Sequence, residues 1–164
     1  MTIPNHTLND GTTLPAIGLG TYNLRGIPGA ESMAEALRQG YRILDSAVNY
    51  ENEGAVGKAV RMSGVPREEI RVTSKFPGRH HKKPNVVWTI EESLLRTGLD
   101  YIDLYLIHWP NPSQQLFVEA WEGMIEARER GLVRSIGVSN FLPEYLDQLI
   151  EKTGVTPSVN QIEL

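Results

Sequence analysis

Ionisable side chains stand at the ends of three short β-prone runs. Asp45 ends "YRILD", Lys75 ends "IRVTSK" and His108 ends "IDLYLIH", while Tyr50 follows Asp45 by five residues. A free phenol has a pKa of about 10 and is a weak acid at neutral pH, but a neighbouring ammonium lowers that pKa. A buried lysine in turn needs a carboxylate to stay charged. We therefore predict a proton relay of Asp45, Lys75 and Tyr50, with His108 as a further hydrogen-bond donor.

Each of these residues also has a simpler structural explanation. An acid at a strand end is often a helix cap or a loop residue, and a histidine before "WP" is often structural. Tyr50 lies between a predicted strand and a predicted helix, where an aromatic residue is usually a core residue or part of a hydrophobic staple. The spacing alone leaves these alternatives open. It is the placement of four such residues on one predicted face that favours chemistry.

Short β-prone runs alternate with longer helical stretches along the chain. We predict helices near residues 29–39, 52–63, 84–97, 115–130 and 143–152, and strands in "AIGLGTY", "YRILDSA", "IRVTSKF", "IDLYLIHW", "VRSIGVSN" and "SVNQIEL". Before them, "HTLNDGTTL" places an Asp-Gly turn between two β-prone pieces, which predicts a hairpin over about residues 5–15. Strands that alternate with helices predict right-handed βαβ units and a parallel sheet.

The polar strand-end residues decide what kind of sheet is expected. Lys75, His108, Ser139 and Gln161 each end a different predicted strand, and the carboxyl ends of parallel strands meet at one face. No strand is followed by the G-x-G-x-x-G turn of the doubly wound fold, and "GLGTYN" lacks the third glycine. We therefore predict an α/β fold of the (β/α)8 TIM-barrel type with an N-terminal β-hairpin.

Length sets a further expectation. The chain has 164 residues, whereas eight-unit barrels typically need about 250. We expect residues 1–164 to form one incomplete barrel domain of about six strands, with βα units from about residue 16, cut from a longer parent. The loops that commonly form a barrel's phosphate site would lie beyond it. Two open sheet edges would favour self-association of the fragment.

Composition narrows the classes of protein. The chain carries a net charge of −4, is 40% hydrophobic and 22% charged, and has no cysteine. The negative charge disfavours nucleic acids and anionic membranes as partners, and no run has the length of a signal peptide core or a membrane span. We predict a cytoplasmic globular protein without a metal site. We interpret "GRHHKK", residues 78–83, as a solvated loop within reach of a substrate.

Six sequence blocks carry a resemblance to a known family. In chain order, "LPAIGLGTY", "YRILDSAVNYENEGAVGKAV", "VTSKF", "GLDYIDLYLIHWP", "GLVRSIGVSNF" and "VNQIEL" resemble the aldo-keto reductases, and most closely bacterial members similar to 2,5-diketo-D-gluconate reductases. The resemblance covers essentially the whole chain. It implies a barrel that binds NADPH at its mouth and reduces the carbonyl group of small aldehydes or ketones by hydride transfer. It also implies a monomeric parent.

The resemblance also implies roles for individual residues. It implies a catalytic tetrad of Asp45, Tyr50, Lys75 and His108, cofactor contacts from Gly20, Thr21, Asp45, Ser139, Asn140 and Gln161, and substrate contacts from Tyr22, Phe76, His108 and Trp109. Ser139 and Asn140 are equally explained as an N-cap pair for a helix near Pro143. For Tyr22, Phe76 and Trp109 the alternative is core packing. The family also contains non-catalytic regulatory subunits, and an inactive truncated fragment is a further alternative.

One block departs from the family pattern. "KFPG" stands where a tryptophan is expected two residues after the lysine, so the substrate range is open. The choice between NADPH and NADH is open as well, because the residues that would contact the 2′-phosphate are not in this sequence.

Overall fold

The computed structural model describes residues 3–163. The strands are β1 (Asn5–Thr7), β2 (Thr13–Pro15), β3 (Leu19–Gly20), β4 (Ile43–Asp45), β5 (Arg71–Phe76), β6 (Ile102–Ile107), β7 (Val133–Ser139) and β8 (Asn160–Gln161). The helices are α1 (Gly26–Arg38), α2 (Glu53–Ser63), α3 (Lys83–Thr97), α4 (Phe117–Glu129) and α5 (Pro143–Thr153). These elements agree with the predicted alternation of strands and helices.

Strands β3 to β8 form one parallel sheet in the order in which they occur along the chain. Each helix after α1 contacts the helix before it, so all five helices cover the same face of the sheet. A doubly wound sheet would instead reverse its strand order and carry helices on both faces. The structure therefore agrees with the barrel type of winding.

The sheet is strongly curved. Gln161 on β8 and Asp45 on β4 are four strands apart, which would separate them by roughly 19 Å in a flat sheet. Yet the Gln161 amide Nε2 donates a hydrogen bond to Asp45 Oδ2 at 3.3 Å. The described sheet is thus an open, curled part of a barrel whose edges are β3 and β8.

The convex face of the sheet carries the main core, whereas the concave face carries polar residues together with aliphatic ones such as Ile43 and Leu104. Side chains of β5 alternate between the two faces, as in any strand, so Lys75 lies on the concave side and Phe76 on the convex side. The core between sheet and helices includes Leu44, Val72 and Trp121, each at most 1% exposed. This packing leaves the concave face free for a functional site.

Hairpin β1–β2 closes the amino-terminal end of this concave face. The strands pair antiparallel, and Gly11 between them has a φ of +84°, which favours glycine at the turn. Asp10 accepts hydrogen bonds from Ser135 at 2.6 Å and from Ser158 at 2.8 Å. The hairpin is therefore bound to the opposite part of the sheet, far along the chain.

One helix begins later than the sequence predicts. The predicted helix of residues 115–130 starts at Phe117, because Asn111 and Gln115 have φ angles of +44° and +54°, which an α-helix cannot contain. Residues Pro112–Gln114 between them form a 3-10 turn. Elsewhere the helices end where expected, and Gly98 and Gly154 take up the left-handed conformation after α3 and α5.

Within residues 3–163, no helix combines the length and the apolar character that crossing a membrane requires. The same residues contain no group of three or more His, Asp or Glu side chains arranged to hold a metal ion.

Candidate active site

The centre of the candidate site is an ion pair between neighbouring strands. Lys75 Nζ donates to Asp45 Oδ1 at 2.8 Å, to Asp45 Oδ2 at 2.9 Å and to the Ser46 carbonyl oxygen at 2.9 Å. The Lys75 side chain is 1% exposed and that of Asp45 is 22% exposed. Burial lowers the pKa of Lys75, whereas Asp45 acts in the opposite direction by its charge and its hydrogen bond. The carboxylate thus favours the charged ammonium, as the sequence predicts.

Tyr50 lies beside this pair on a 3-10 turn, Val48–Tyr50, between β4 and α2. Lys75 Nζ is 5.3 Å from the centre of the Tyr50 ring, and the His108 ring is 6.0 Å from it, edge to face. Tyr50 is half-buried and is not a core residue. The structure therefore brings all four residues of the predicted tetrad to one place.

The electrostatic effect on Tyr50 differs from our prediction. Its pKa is raised, first by burial and then by the negative charge of Asp45, with a smaller effect of Tyr22. The sequence instead predicts that Lys75 lowers the pKa of Tyr50. The reason is geometric, because all three N–H groups of the ammonium bind Asp45 and Ser46 and the carboxylate offsets the positive charge. In this arrangement Tyr50 is a protonated phenol.

His108 follows β6, and its backbone N–H donates to the carbonyl oxygen of Phe76 at 3.1 Å. Burial lowers the pKa of His108, and the positive charge of Lys75 lowers it further, against an opposing effect of Asp45. The imidazole is therefore neutral at neutral pH. Within residues 3–163 its buried Nδ1 has no hydrogen-bond partner, so the ring is not fixed by a second side chain.

The residues assigned to a nicotinamide lie at the ends of β7 and β8. Ser139 Oγ donates to the Gln161 carbonyl oxygen at 2.9 Å, and Asn140 Nδ2 donates to the His108 carbonyl oxygen at 3.2 Å. Helix α5 has Leu142 as its N-cap residue, without a side-chain cap. The alternative of Ser139 and Asn140 as an N-cap pair is therefore wrong.

Gly20 and Thr21 lie at the end of β3, beside Asp45. Thr21 is fully buried, and both its N–H and its hydroxyl donate to the Asp45 carbonyl oxygen, at 3.0 and 2.9 Å. A Cβ added to Gly20 would meet no atom within 4 Å. The backbone here therefore borders open space, and Gly20, Asp45 and Gln161 line an open groove of about 400 Å³.

The aromatic residues assigned to substrate divide into two groups. Tyr22 and Trp109 are 60% and 51% exposed at the carboxyl ends of their strands, and the Tyr22 ring contacts the Tyr50 ring at 5.0 Å. Phe76 is fully buried, and its ring packs against His81 and Tyr105 under the helices. The assignment of Phe76 to substrate is therefore corrected, because adjacent residues of a strand point to opposite faces.

Asn52 is a structural residue of the site that the sequence did not reveal. It is 2% exposed, its Nδ2 donates to the Thr21 and Leu24 carbonyl oxygens, and its Oδ1 accepts from Ser46 Oγ at 2.6 Å. Asn52 thereby joins the loop after β3 to the loop that carries Tyr50. An asparagine before a helix suggests a side-chain N-cap. The Asn52 side chain makes no such cap bond and joins the two loops instead.

Glu53 was missed as well. Its carboxylate, 2% exposed, accepts a hydrogen bond from Ser74 Oγ at 2.6 Å and pairs with Arg96 at 2.7 Å. Ser74 precedes Lys75, so this contact fixes β5 from the helix side. Nothing in the sequence distinguishes Glu53 from an ordinary acid in a first helical turn.

The fold and the site together define a chain of the βα-barrel class with its polar cluster at the carboxyl ends of the strands. The sequence model of the Aldo/keto reductase family matches residues 16–164. The chain therefore belongs to the Aldo/keto reductase family.

Relatives and solved structures agree with this assignment. A "2,5-diketo-D-gluconic acid reductase B" of Corynebacterium sp. is 59% identical over 162 residues, which cover 99% of this chain and 58% of the relative. A crystal structure of an aldo/keto reductase from Brucella melitensis matches with a TM-score of 0.95 and 44% identity, over 99% of this chain and 64% of that one. A Bombyx mori aldo-keto reductase in complex with NADP matches with a TM-score of 0.91 and 39% identity, over 100% and 59%. The chain thus spans less than two thirds of the length of these proteins.

Proposed function

We propose that this chain provides the catalytic residues of an NADPH-dependent carbonyl reductase that converts aldehydes or ketones to alcohols. The observation that supports the proposal most directly is the cluster of the Asp45–Lys75 ion pair, Tyr50 and His108 at the mouth of the curved sheet. Reduction of a carbonyl needs a proton donor beside the oxygen and a hydrogen-bond donor that orients it. Tyr50 and His108 have these properties.

Tyr50 acts as the general acid in this proposal. A raised pKa keeps the phenol protonated at neutral pH, so the proton is available when the substrate oxygen becomes negative. As Tyr50 gives up the proton, the Lys75 ammonium stabilises the phenolate. For this purpose Lys75 gives up its hydrogen bond to the Ser46 carbonyl oxygen and donates to the phenolate instead. Its ion pair with Asp45 is then kept.

The residues around the groove fit a nicotinamide cofactor. Bound NADPH would supply the hydride. The open space at Gly20 permits a ring to approach the backbone, and the side chains of Ser139, Asn140 and Gln161 carry the hydroxyl and amide groups that a carboxamide requires. Asp45 belongs to the same contact surface. Preference for NADPH over NADH is part of the proposal, supported by the neighbouring structures in complex with NADP or NADPH.

The substrate is proposed to be a small aldehyde or ketone that enters past Tyr22 and Trp109. Both side chains are exposed; the Tyr22 ring contacts the Tyr50 ring, and Trp109 follows His108 in the chain. The relatives include a 2,5-diketo-D-gluconic acid reductase and a methylglyoxal reductase of Escherichia coli. Both names indicate small, polar carbonyl compounds.

We also propose that the complete enzyme is a cytoplasmic monomer and that residues 1–164 form one incomplete (β/α)8 domain within it. Among residues 3–163 the curved sheet has two unpaired edges, β3 and β8, and the matched part covers 58% of the relative. Two further βα units would join these edges. The absence of cysteine and the net charge of −4 support a reducing compartment without nucleic acid as a partner.

The test is NADPH oxidation with a reactive aldehyde, measured for the full gene product and for the 164-residue chain. We expect Tyr50→Phe to lower turnover of the full gene product by several powers of ten, at about 1.4 kcal/mol of barrier for each. Lys75→Met should be as harmful. Near-normal turnover of Tyr50→Phe would refute the assignment of the general acid. NADPH that binds without oxidation, across many aldehydes and ketones, would favour a regulatory subunit.

A further inference from the structure

Two arginines hold the turn that carries Tyr50. Arg25, in the loop after β3, donates from Nε to the Tyr50 carbonyl oxygen at 2.9 Å. Arg79, in the loop after β5, donates from Nη1 to Asn49 Oδ1 at 2.8 Å. The loops after β3 and β5 therefore each bind the intervening loop, which carries Tyr50, through one guanidinium group.

Neither guanidinium is neutralised by an acid. Among residues 3–163, no carboxylate lies within 4.0 Å of Arg25 or Arg79, although most of the other arginines form ion pairs. Each of these hydrogen bonds uses one of the five N–H groups of a guanidinium, so most of the N–H donors of Arg25 and Arg79 remain free. Both side chains are exposed. Free, planar forks of this kind bind carboxylates with two parallel hydrogen bonds.

The three loops after β3, β4 and β5 carry a charge opposite to that of the whole chain. The exposed charged residues of these three loops are Arg25, Arg79 and Lys82, with Glu51 as their one acid, whereas the chain carries a net −4. Lys75 adds no net charge, because Asp45 neutralises it. A local excess of positive charge attracts anionic ligands and positions them.

The loop that carries Arg79 is fixed in place. Gly78 lies so close to the Asn111 side chain that any Cβ at this position would clash with it. His81, three residues further, is fully buried against Phe76. Arg79 is therefore presented by an anchored segment, which limits the entropy that its binding to a ligand would cost.

We propose, on the basis of the carbonyl reductase function above, that the site prefers carbonyl substrates that carry a carboxylate. Arg79 binds the carboxylate, Arg25 assists from the other side of the turn, and the carbonyl group lies between Tyr50 and His108. Arg79 and Arg25 are thus specificity-determining residues. Neither exchanges a proton with the substrate.

The test compares para-carboxybenzaldehyde with its uncharged methyl ester, using the full gene product and saturating NADPH. We expect kcat/KM to favour the acid by roughly tenfold at low salt, mostly through KM, and the preference to shrink as salt screens the charges. Arg79→Gln should bring the ratio of the two kcat/KM values close to unity, and Arg25→Gln should lower it in part. Lys58→Gln removes the same charge from the exposed surface of α2 and should leave the ratio unchanged.

The outcomes separate this inference from the proposed function. Tyr50-dependent reduction of the ester with an acid-to-ester ratio that Arg79→Gln does not change would overturn the inference and leave the function standing. A rise in the KM for NADPH with an unchanged ratio would also overturn it, because the arginines would then contact the cofactor. If neither aldehyde is reduced, both proposals fail. Since Arg25 and Arg79 also hold the Tyr50 turn, the ratio, and not the rate alone, is the decisive quantity.

Discussion

Both oxygens of the Asp45 carboxylate bind the Lys75 ammonium, at 2.8 and 2.9 Å, and the lysine is almost completely buried. Replacement by Asp45→Asn would leave a buried positive charge without a partner. We expect this change to cost roughly 3 kcal/mol of unfolding free energy and to lower turnover at least about a hundredfold. Urea denaturation and NADPH oxidation measure the two effects.

A double variant supplies the control. Asp45→Asn combined with Lys75→Met removes both charges, so it should be more stable than Asp45→Asn alone. If the double variant were as unstable as the single one, loss of shape and not the unpaired charge would explain the effect.

His108 should be neutral throughout the neutral range, because burial and Lys75 lower its pKa below the usual 6.5. Tyr50, whose pKa is raised above 10, stays protonated over the same range. We therefore expect kcat/KM for reduction to be nearly constant from about pH 7 to about pH 9 and to change only on acidification. His108→Gln, which cannot be protonated, should lack the part of the acid limb that comes from this imidazole. It should also shift activity between substrates more than it abolishes activity.

Protonation of His81 should destabilise the folded chain in mild acid. It is fully buried beside Phe76, neither ring nitrogen has a partner among residues 3–163, and burial lowers its pKa from 6.5 to about 4, with a smaller effect of His80. The unfolded chain therefore binds a proton between these values that the folded chain does not. Stability is fully present above about pH 6.5 and falls as the pH decreases toward about 4, by at most about 1.4 kcal/mol per unit.

Urea midpoints at about pH 7 and about pH 5 measure this effect. His81→Phe fills a similar volume without a titrating group, so its midpoint should decrease less than that of the wild type between the two pH values. An equal decrease would show that other groups cause the acid sensitivity. His6→Phe, in the exposed strand β1, is the matched control, and it should behave as the wild type.

Protonation of Asp10 should lower the stability of the fold a second time, at lower pH. Burial raises its pKa, but hydrogen bonds from Ser135, Thr12 and Ser158 together outweigh burial and lower the pKa from 3.8 to about 2. This contribution to stability is present above about pH 4 and is lost as the pH falls through about 2. Asp10→Ala should lower the melting temperature at neutral pH by a few degrees, and its deficit should shrink below about pH 3.

A control substitution on another element tests whether loss of the hairpin contacts causes the lower melting temperature of Asp10→Ala. Asp147 is exposed on α5 and makes no hydrogen bond or ion pair among the described residues. Asp147→Ala should leave the melting temperature nearly unchanged at every pH. If both variants behaved alike, the loss of a negative charge, and not the detachment of the hairpin, would explain the result.

Much of the fold could be predicted because local signals agree. Glycines after the helices, β-branched runs in the strands and the regular alternation of the two predict the elements to within a few residues. The start of α4 was wrong, since the positive φ angles of Asn111 and Gln115 depend on loop packing that no short-range pattern shows. The curvature of the sheet became visible only in the Gln161–Asp45 contact.

The positions of candidate site residues at strand ends could be predicted from the sequence. The contacts of those in loops could not. The meeting of Asp45, Lys75 and His108 at one edge of the sheet follows from their strand positions, whereas their roles do not. Phe76 could have been excluded, because a strand that directs Lys75 inward must direct its neighbour outward. The raised pKa of Tyr50 could not be foreseen, since it depends on which acceptors surround the Lys75 ammonium. Asn52 and Glu53 act through partners on distant segments, so sequence spacing gives no indication of them.

The contacts of the hairpin turn have a consequence for how the chain folds. Asp10 binds Ser158, and Asn9 binds the Pro157 carbonyl oxygen, across 148 residues in each case. During synthesis the hairpin emerges before the five helices, whereas Pro157 and Ser158 emerge only after them. Contacts of such large sequence separation form slowly, because a long loop must close before they are made. The hairpin, although synthesised before all five helices, is therefore among the last elements to complete its native contacts.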